Sequence, residues 1–539
     1  MAVAKSKLKV ALSVAFAALL LLAFRTAQSQ LTSRDKGQAS PLSKSSPAAV
    51  PSPAAGTSLA ETALAREIDR LIDESNLTQA RWGVFVMSMR DRHVLYARNG
   101  DKLFTPASNM KIYTTAVALD SLTADYRWRT SVFADKQPDG GIVTGDLTLY
   151  GRGAPDLRST RKGDAPSLDQ LADQLYQSGV REVRGNVIGD ESYFRGESYG
   201  VGWQWNDLQW YFGAQPSALS VDENAFELTI SPASKAGSAP GVAINRNNGF
   251  IQLTNNTSTS ARDATTAIGI NRGLSDNHVR VWGEFPAGGR AFSAFLSVHQ
   301  PALWAATLFK QALIARGISV TGEPRMRDFR VAEADQFNPE KAIQLAYQDS
   351  ETLGEIARRT NKESNNLFAE LILRTLGKER GSSAPDPDPR KNRTRGDDEA
   401  GTAVVKSWLE RAQIRTAGLE IRDGSGLSRL DLVTPESTAR LLAAIAGTNS
   451  ASIFHDSLPV AGRDGTLSGR LKSEAGRIFA KTGTLTYDHS LSGYAETRNG
   501  QVLIFSIFCN DVTGPPDAVH LVDQIAVRLT EFNGSMPQP

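Results

Sequence analysis

The spacing of apolar positions along the chain changes several times, and each change marks an element. Leu64, Ile68, Leu71 and Ile72 recur at helical intervals, which predicts an amphipathic helix that Asn76 stops. The run Trp82-Gly83-Val84-Phe85-Val86-Met87, a polar turn at Arg90-Asp91-Arg92 and then Val94-Leu95-Tyr96-Ala97 predict a β-hairpin. Pro106 favours a helix start, since a first-turn proline forfeits no hydrogen bond, and that helix is expected over 109–122. From about 130 to 345, strand-like runs such as Gly145-Asp146-Leu147-Thr148-Leu149-Tyr150 alternate with turns rich in Gly, Asn and Ser. Residues 226–298 read as strand throughout, and a helix follows over 301–316 with Gly317 as its stop.

Helices return beyond 345, at 353–358, 366–376 and 402–412. Between them the polar stretch 378–399, around Pro385-Asp386-Pro387-Asp388-Pro389, is expected to be an exposed loop. Arg477-Ile478-Phe479-Ala480-Lys481 and Val502-Leu503-Ile504-Phe505-Ser506-Ile507 read as strands, and Ala518, Leu521, Val522, Ile525, Leu529 and Phe532 form one face of a last helix. Mixed α/β segments at both ends thus bracket a β-rich middle, the pattern of one domain interrupted by an insertion. At 539 residues the chain exceeds what one hydrophobic core supports, which agrees with that division.

Composition narrows the function. Lys and Arg number 60 against 58 Asp and Glu, so no global field favours a nucleic acid or a membrane surface. Six scattered His and one Cys form neither zinc spacing nor a disulfide framework, and Cys509, inside an apolar run, reads as a small core residue. Residues 1–29 combine Lys5, Lys7 and Lys9, an apolar stretch from Val10 to Phe24 and small residues at the exit, as in an export signal. Arg25 and the imperfect Ala27-Gln28-Ser29 exit leave two outcomes open, cleavage or retention as a membrane anchor. Either way the body is expected to be exported, to the periplasm or held at the cell envelope. Residues 30–58, rich in Ser, Pro, Ala and Gln, read as a flexible tether.

Three short patterns carry candidate chemistry. In Ser108-Asn109-Met110-Lys111 the helical spacing puts the amine of Lys111 within reach of the Ser108 hydroxyl, and a lysine whose pKa is lowered by burial can activate a serine. Alone the pattern is weak, since Ser6-Lys7-Leu8-Lys9 matches it too. Ser364-Asn365-Asn366 opens a predicted helix: its hydroxyl can relay a proton, and the Asn366 amide can both donate to and accept from a peptide. A helix cap would explain the same residues. Lys481-Thr482-Gly483-Thr484 ends a strand; Gly483 would let another extended chain approach, and Lys481 and Thr482 would face a carboxylate. Together and in this order, Ser-x-x-Lys, Ser-x-Asn and Lys-Thr-Gly are the signature of penicillin-binding proteins and class A β-lactamases.

With all three in view the chain resembles the low-molecular-mass class C penicillin-binding proteins, the D-alanyl-D-alanine carboxypeptidase/endopeptidase family. The 256-residue interval from Ser108 to Ser364 suits that family's large insertion rather than a β-lactamase. Gly202-Trp203-Gln204-Trp205-Asn206-Asp207, Ser217-Ala218-Leu219-Ser220-Val221 and Asp423-Gly424-Ser425-Gly426-Leu427-Ser428-Arg429 add to the resemblance, which spans about 59 to 532. It implies an α/β transpeptidase-like domain, an antiparallel sheet flanked by helices, made of 59–129 and 345–539. A β-rich two-domain insertion would interrupt it, 130–225 with 300–344 forming one part and 226–299 the other.

The resemblance also implies roles. Ser108 would be acylated, Lys111 would be its base, Ser364 would pass the proton to the leaving D-alanine and Asn366 would hold the acyl-side amide. Lys481 would supply positive potential that keeps Lys111 neutral, and Thr482 would bind the terminal carboxylate. The backbone N–H groups of Ser108 and Thr484 would form the oxyanion hole. Asp190 is the counterpart chosen for an acid that contacts the amine of the wall peptide's third residue. The substrate would be a peptidoglycan stem peptide ending in D-Ala-D-Ala, β-lactams would be covalent inhibitors, and such acyl transfer needs neither metal nor organic cofactor. Departures fall at Gly151-Arg152-Gly153-Ala154-Pro155-Asp156-Leu157, at Tyr487-Asp488-His489 and in the long 378–399 stretch. The rival readings are a β-lactamase or esterase on the same scaffold, and a catalytically silent cell-wall-binding protein.

Overall fold

Both ends of the described chain meet in one sheet. A computed structural model describes residues 58–245, 249–331, 335–382, 395–513 and 517–534; the expected signal at 1–29 and all of the tether but Ser58 lie outside them. Helix α1 (Leu59–Asp73) opens with a capping box between Ser58 and Glu61 and buries Leu64, Ile68 and Ile72. It stops before Asn76 because the Ser75 hydroxyl takes the Ile72 carbonyl and then accepts from Leu77 N. The predicted hairpin follows as β1 (Arg81–Ser88) and β2 (Val94–Arg98).

A single turn of 3₁₀ helix (Ala107–Asn109) leads into α2 (Met110–Leu122), where the sequence pattern placed one helix. The insertion then runs through β3 (Arg129–Ala134), β4 (Ile142–Thr144), β5 (Leu147–Tyr150), α3 (Leu168–Gln177), β6 (Glu182–Arg184) and β7 (Val187–Asp190). It continues through β8 (Ala225–Ser231), β9 (Gly241–Ile244), β10 (Gln252–Ser260), β11 (Ala267–Arg272), β12 (His278–Pro286) and β13 (Phe292–Ser297). Helix α4 (Pro301–Ala315), β14 (Ser319–Val320), β15 (Pro324–Arg327) and β16 (Ile343–Asp349) complete it. Its largest sheet has the order β15-β7-β5-β3-β16. Strand β16 runs through the expected boundary at 345, because it pairs with β3 as far as Asp349 opposite Arg129. Helix α3 was not foreseen, although Ser167 caps it and Leu168, Leu171, Ala172 and Leu175 have helical spacing. Side chains from both expected parts of the insertion, Val132 and Leu171 with Phe226, Val279 and Leu296, share one core.

The chain returns through α5 (Leu353–Lys362), α6 (Asn366–Arg380), α7 (Asp397–Arg411), α8 (Pro435–Ile445) and α9 (Ala451–Ser457). Helices α6 and α7 extend into both ends of the stretch expected to be loop: Lys378 to Arg380 and Asp397 to Glu399 are helical, and Glu379 accepts from Tyr126 and Tyr193. The centre of that stretch, 383–394, lies outside the described residues. Last come β17 (Ile478–Leu485), β18 (Asp488–Glu496), β19 (Val502–Asn510) and α10 (Ala518–Thr530).

The sheet that joins the ends is antiparallel with the order β17-β18-β19-β1-β2, and Val84 of β1 lies opposite Ile507 of β19. Alternate side chains divide it between two cores. Val84, Val86, Phe505 and Ile507 pack with α1 and α10, whereas Phe85, Met87, Ile504 and Phe508 pack with α2, α5, α6 and α8. Cys509 is fully buried on the first of these faces. Strand β18 escaped the sequence pattern because its buried positions include Ser490 and Ser492, whose hydroxyls bond Pro106 O and Ser506 Oγ.

Candidate active site

The site forms where the start of α2, the α5–α6 turn and β17 meet. Ala107, at φ +49°, turns the chain sharply before α2. The result leaves Ser108 half-exposed while Ala107, Asn109, Met110 and Lys111 are fully buried. Two glycines let other segments press against this turn. At Gly426 (φ +78°) a Cβ would come 1.8 Å from Ala107 O. At Gly483 a Cβ would come 2.1 Å from Ser490 Oγ and 2.8 Å from Pro106 O. The bare face of Gly483 therefore admits the turn that carries Ser108.

Lys111 Nζ lies 2.9 Å from Ser108 Oγ, 2.7 Å from Asn366 Oδ1 and 2.7 Å from Ser425 O. Asn366 Nδ2 donates to Phe212 O at 2.9 Å, and because a carbonyl can only accept, this bond fixes which amide atom faces the lysine. The two carbonyl oxygens thus occupy two N–H bonds of a neutral amine and turn its lone pair towards the Ser108 hydroxyl. Burial lowers the Lys111 pKa to about 7, against an upward pull from Asp423 and Glu370. Glu370 is itself pushed up to about 8, by burial first and then by Asp423, although its Oε1 accepts from Gly424 N and Ser425 N.

Ser364 sits at φ +59° in the turn between α5 and α6. The capping role falls to Asn365, whose side chain accepts from Phe368 N, so Ser364 and Asn366 are left for the cleft. Lys481, fully buried, donates to Ser364 Oγ at 2.9 Å and to Thr482 O at 2.8 Å. Its pKa lies well below the usual lysine value, because of burial and then the neighbouring charge of Lys111. Burial, rather than the potential of Lys481, is the leading cause of the Lys111 shift. Every hydrogen bond described for the two amines goes to a carbonyl or hydroxyl oxygen. Thr482 Oγ1 pairs with Thr466 Oγ1 at 2.8 Å, and Thr484 is exposed two residues further along β17.

Asp190 does not join this group. It is fully buried in β7, between Tyr150 of β5 and Arg327 of β15, where Arg327 Nη1 holds Oδ2 at 2.9 Å and Ser192 N and Oγ hold Oδ1. A carboxylate so enclosed has no face for a substrate amine, which corrects the expectation. The insertion does border the site at 201–212. There Phe212 O meets Asn366, Trp203 Nε1 donates to Asp423 Oδ2, and Val201 O accepts from Ser428 Oγ. This stretch carries Asp207, whose carboxyl is raised by partial burial against the opposing charge of Arg429. Asp207 lay within a quoted motif, but nothing in its spacing distinguished it from Asp190. The carbonyl of Ser425 was equally invisible, because a backbone contact leaves no mark on residue identity. Arg152, one of the departures, lies over the Tyr193 ring and pairs with Glu379, joining the insertion to the end of α6.

Comparisons with known proteins place the chain in a family. The profile of the D-Ala-D-Ala carboxypeptidase 3 (S13) family matches residues 64–532. A D-alanyl-D-alanine carboxypeptidase of Actinomadura sp. (strain R39) is 34% identical over 491 residues, covering 88% of this chain and 85% of the relative. A D-alanyl-D-alanine carboxypeptidase DacB of Haemophilus influenzae is 26% identical over 455 residues, covering 81% of this chain and 88% of the relative. The crystal structure of penicillin binding protein 4 from Haemophilus influenzae shares the fold, with a TM-score of 0.73 at 24% identity over 86% of this chain and 99% of that one. The chain belongs to the D-Ala-D-Ala carboxypeptidase 3 (S13) family and is a D-Ala-D-Ala carboxypeptidase.

Proposed function

We propose that Ser108 is the acylated nucleophile of an exported carboxypeptidase/endopeptidase that trims peptidoglycan stem peptides. The observation that carries this reading is the buried Lys111 amine, 2.9 Å from Ser108 Oγ, with its remaining bonds taken by Asn366 Oδ1 and Ser425 O. Neutral Lys111 removes the Ser108 proton as Oγ attacks the carbonyl carbon of the penultimate D-alanine. The backbone N–H groups of Ser108 and Thr484 receive the developing oxyanion. Ser364, held by Lys481 at 2.9 Å, relays the proton taken up by Lys111 to the departing amine, so that D-alanine leaves and Lys111 is neutral again. Water then attacks the ester, with Lys111 again the base and Ser108 Oγ the leaving group.

Asn366 holds the acyl-side amide and Thr482 binds the terminal carboxylate. The acid that meets the amine of the third residue is Asp207 rather than Asp190, since Asp190 is spent on Arg327. The insertion, 130–225 with 300–344 and 226–299, forms the wall that carries Asp207. β-Lactams acylate the same serine, and residues 1–29 direct export, with anchoring at the envelope only if that segment is retained. Incubation of the protein with a stem pentapeptide and with a cross-linked peptide dimer, followed by product mass analysis, tests the reading. Release of D-alanine from the first, or cleavage of the second, and loss of both in Ser108→Ala are expected. Turnover that survives Ser108→Ala overturns it.

A further inference from the structure

The floor of the cleft beside Thr482 contains a second hydroxyl that the reaction above leaves unused. Thr466 Oγ1 lies 2.8 Å from Thr482 Oγ1, and no other hydrogen bond is described for either hydroxyl among the described residues. A pair of hydroxyls holds two protons, and their mutual bond uses one. An anion placed before them can take both, one on each of its oxygens. Charge-assisted bonds of this kind are stronger than the hydroxyl–hydroxyl bond they replace.

The loop that carries Thr466 is built to hold it there. Residues 459–461 pair with the edge of β17, Ala480 N donating to Pro459 O and Ala461 N to Ile478 O, both at 2.9 Å. The chain then turns at Asp464, whose Oδ1 accepts from Val460 N at 2.8 Å. The same carboxylate takes Lys362 Nζ at 2.9 and 2.7 Å. Lys362 is the last residue of α5, two positions before Ser364. One ion pair therefore ties the Thr466 loop to the turn that presents Ser364.

We propose that Thr466 is a specificity-determining residue, which shares the substrate's terminal carboxylate with Thr482, and that the Lys362–Asp464 pair positions it. The proposal rests on the assignment of Thr482 to that carboxylate. It explains why a threonine faces Thr482 with no other hydroxyl partner among the described residues, and it makes recognition of a free chain end a two-hydroxyl matter.

The test compares an acyl-D-Ala-D-Ala peptide with the same peptide ending in D-alaninamide and reads the ratio of their kcat/KM values. Thr466→Val removes the hydroxyl at nearly constant shape and is expected to lower that ratio about tenfold or more. Thr466→Ser keeps the hydroxyl and should keep the ratio. Asp464→Asn should lower it in the same direction by loosening the loop. Equal losses on both peptides, or an unchanged ratio in Thr466→Val, overturn the proposal. Thr482→Val separates the two levels: an unchanged ratio there removes the carboxylate assignment itself, whereas a loss in Thr482→Val with none in Thr466→Val removes the role of Thr466 alone.

Discussion

Lys111 Nζ lies 2.9 Å from Ser108 Oγ, one helical turn back along the same chain. The contact joins a fully buried amine to a half-exposed hydroxyl, so the amine is shielded while the hydroxyl remains open to the cleft. Lys111→Ala should abolish acylation by a labelled penicillin, a loss of at least about a hundredfold as expected for removal of a general base. The fold should persist, because the variant deletes a group whose burial disfavours its charge. Near-normal labelling of a folded Lys111→Ala protein removes Lys111 from the mechanism.

The same burial predicts a pH profile. Only the deprotonated amine can accept the Ser108 proton, and burial has lowered its pKa to about 7. The acylation rate should therefore rise with pH through the region around 7 and level off above it. Stopped-flow measurement of penicillin acylation across that range tests the sign. A rate that falls as pH increases through 7, or a rise displaced to the usual lysine value, contradicts the neutral-amine base.

Gly483 is predicted to matter for packing. A Cβ there would meet Ser490 Oγ and Pro106 O, so Gly483→Ala should push the nucleophile turn off β17, cost about 1–3 kcal/mol and slow acylation. Adding Ser490→Ala removes the nearer clash and should restore part of both. Unfolding midpoints and labelling rates of the single and double variants provide the check, and a harmless Gly483→Ala refutes the packing role.

Asp190 and Asp207 should separate cleanly. Asp190→Ala leaves Arg327 without its buried partner, with an expected cost of about 3–5 kcal/mol and no change in preference for peptides that carry a third-residue amine. Asp207→Asn should leave the unfolding midpoint nearly unchanged and reduce that preference. Thermal unfolding, together with KM for a peptide and its amine-acetylated form, decides between them; the opposite assignment of effects restores Asp190 to the cleft.

Cys509 should be inert in the native protein. It is fully buried in β19, and burial raises its thiol pKa to about 12. A thiol reagent should label it only on unfolding. Rapid labelling of the native protein would show that β19 opens readily.

Much of this was readable before any coordinates. The hairpin β1–β2, helices α4 and α10, strand β19 and the three short patterns that meet in the cleft all announced themselves, because amphipathic spacing and local motifs are properties of neighbouring residues. Elements stabilised by distant polar partners did not. Strand β18 hides behind buried serines whose acceptors lie on the nucleophile turn and on β19, and the ends of α6 and α7 run into a stretch whose composition reads as loop. Within the site, residue identity was enough to nominate Ser108, Lys111, Ser364, Asn366, Lys481 and Thr482. The chain folding back on itself decided that Asn365 takes the cap, that Gly483 faces inward, that Ser425 lends a carbonyl and that Asp190 is spent on Arg327. Periodicity records which side of an element is buried; it carries no record of which remote group meets it there, and catalytic geometry is made of such meetings.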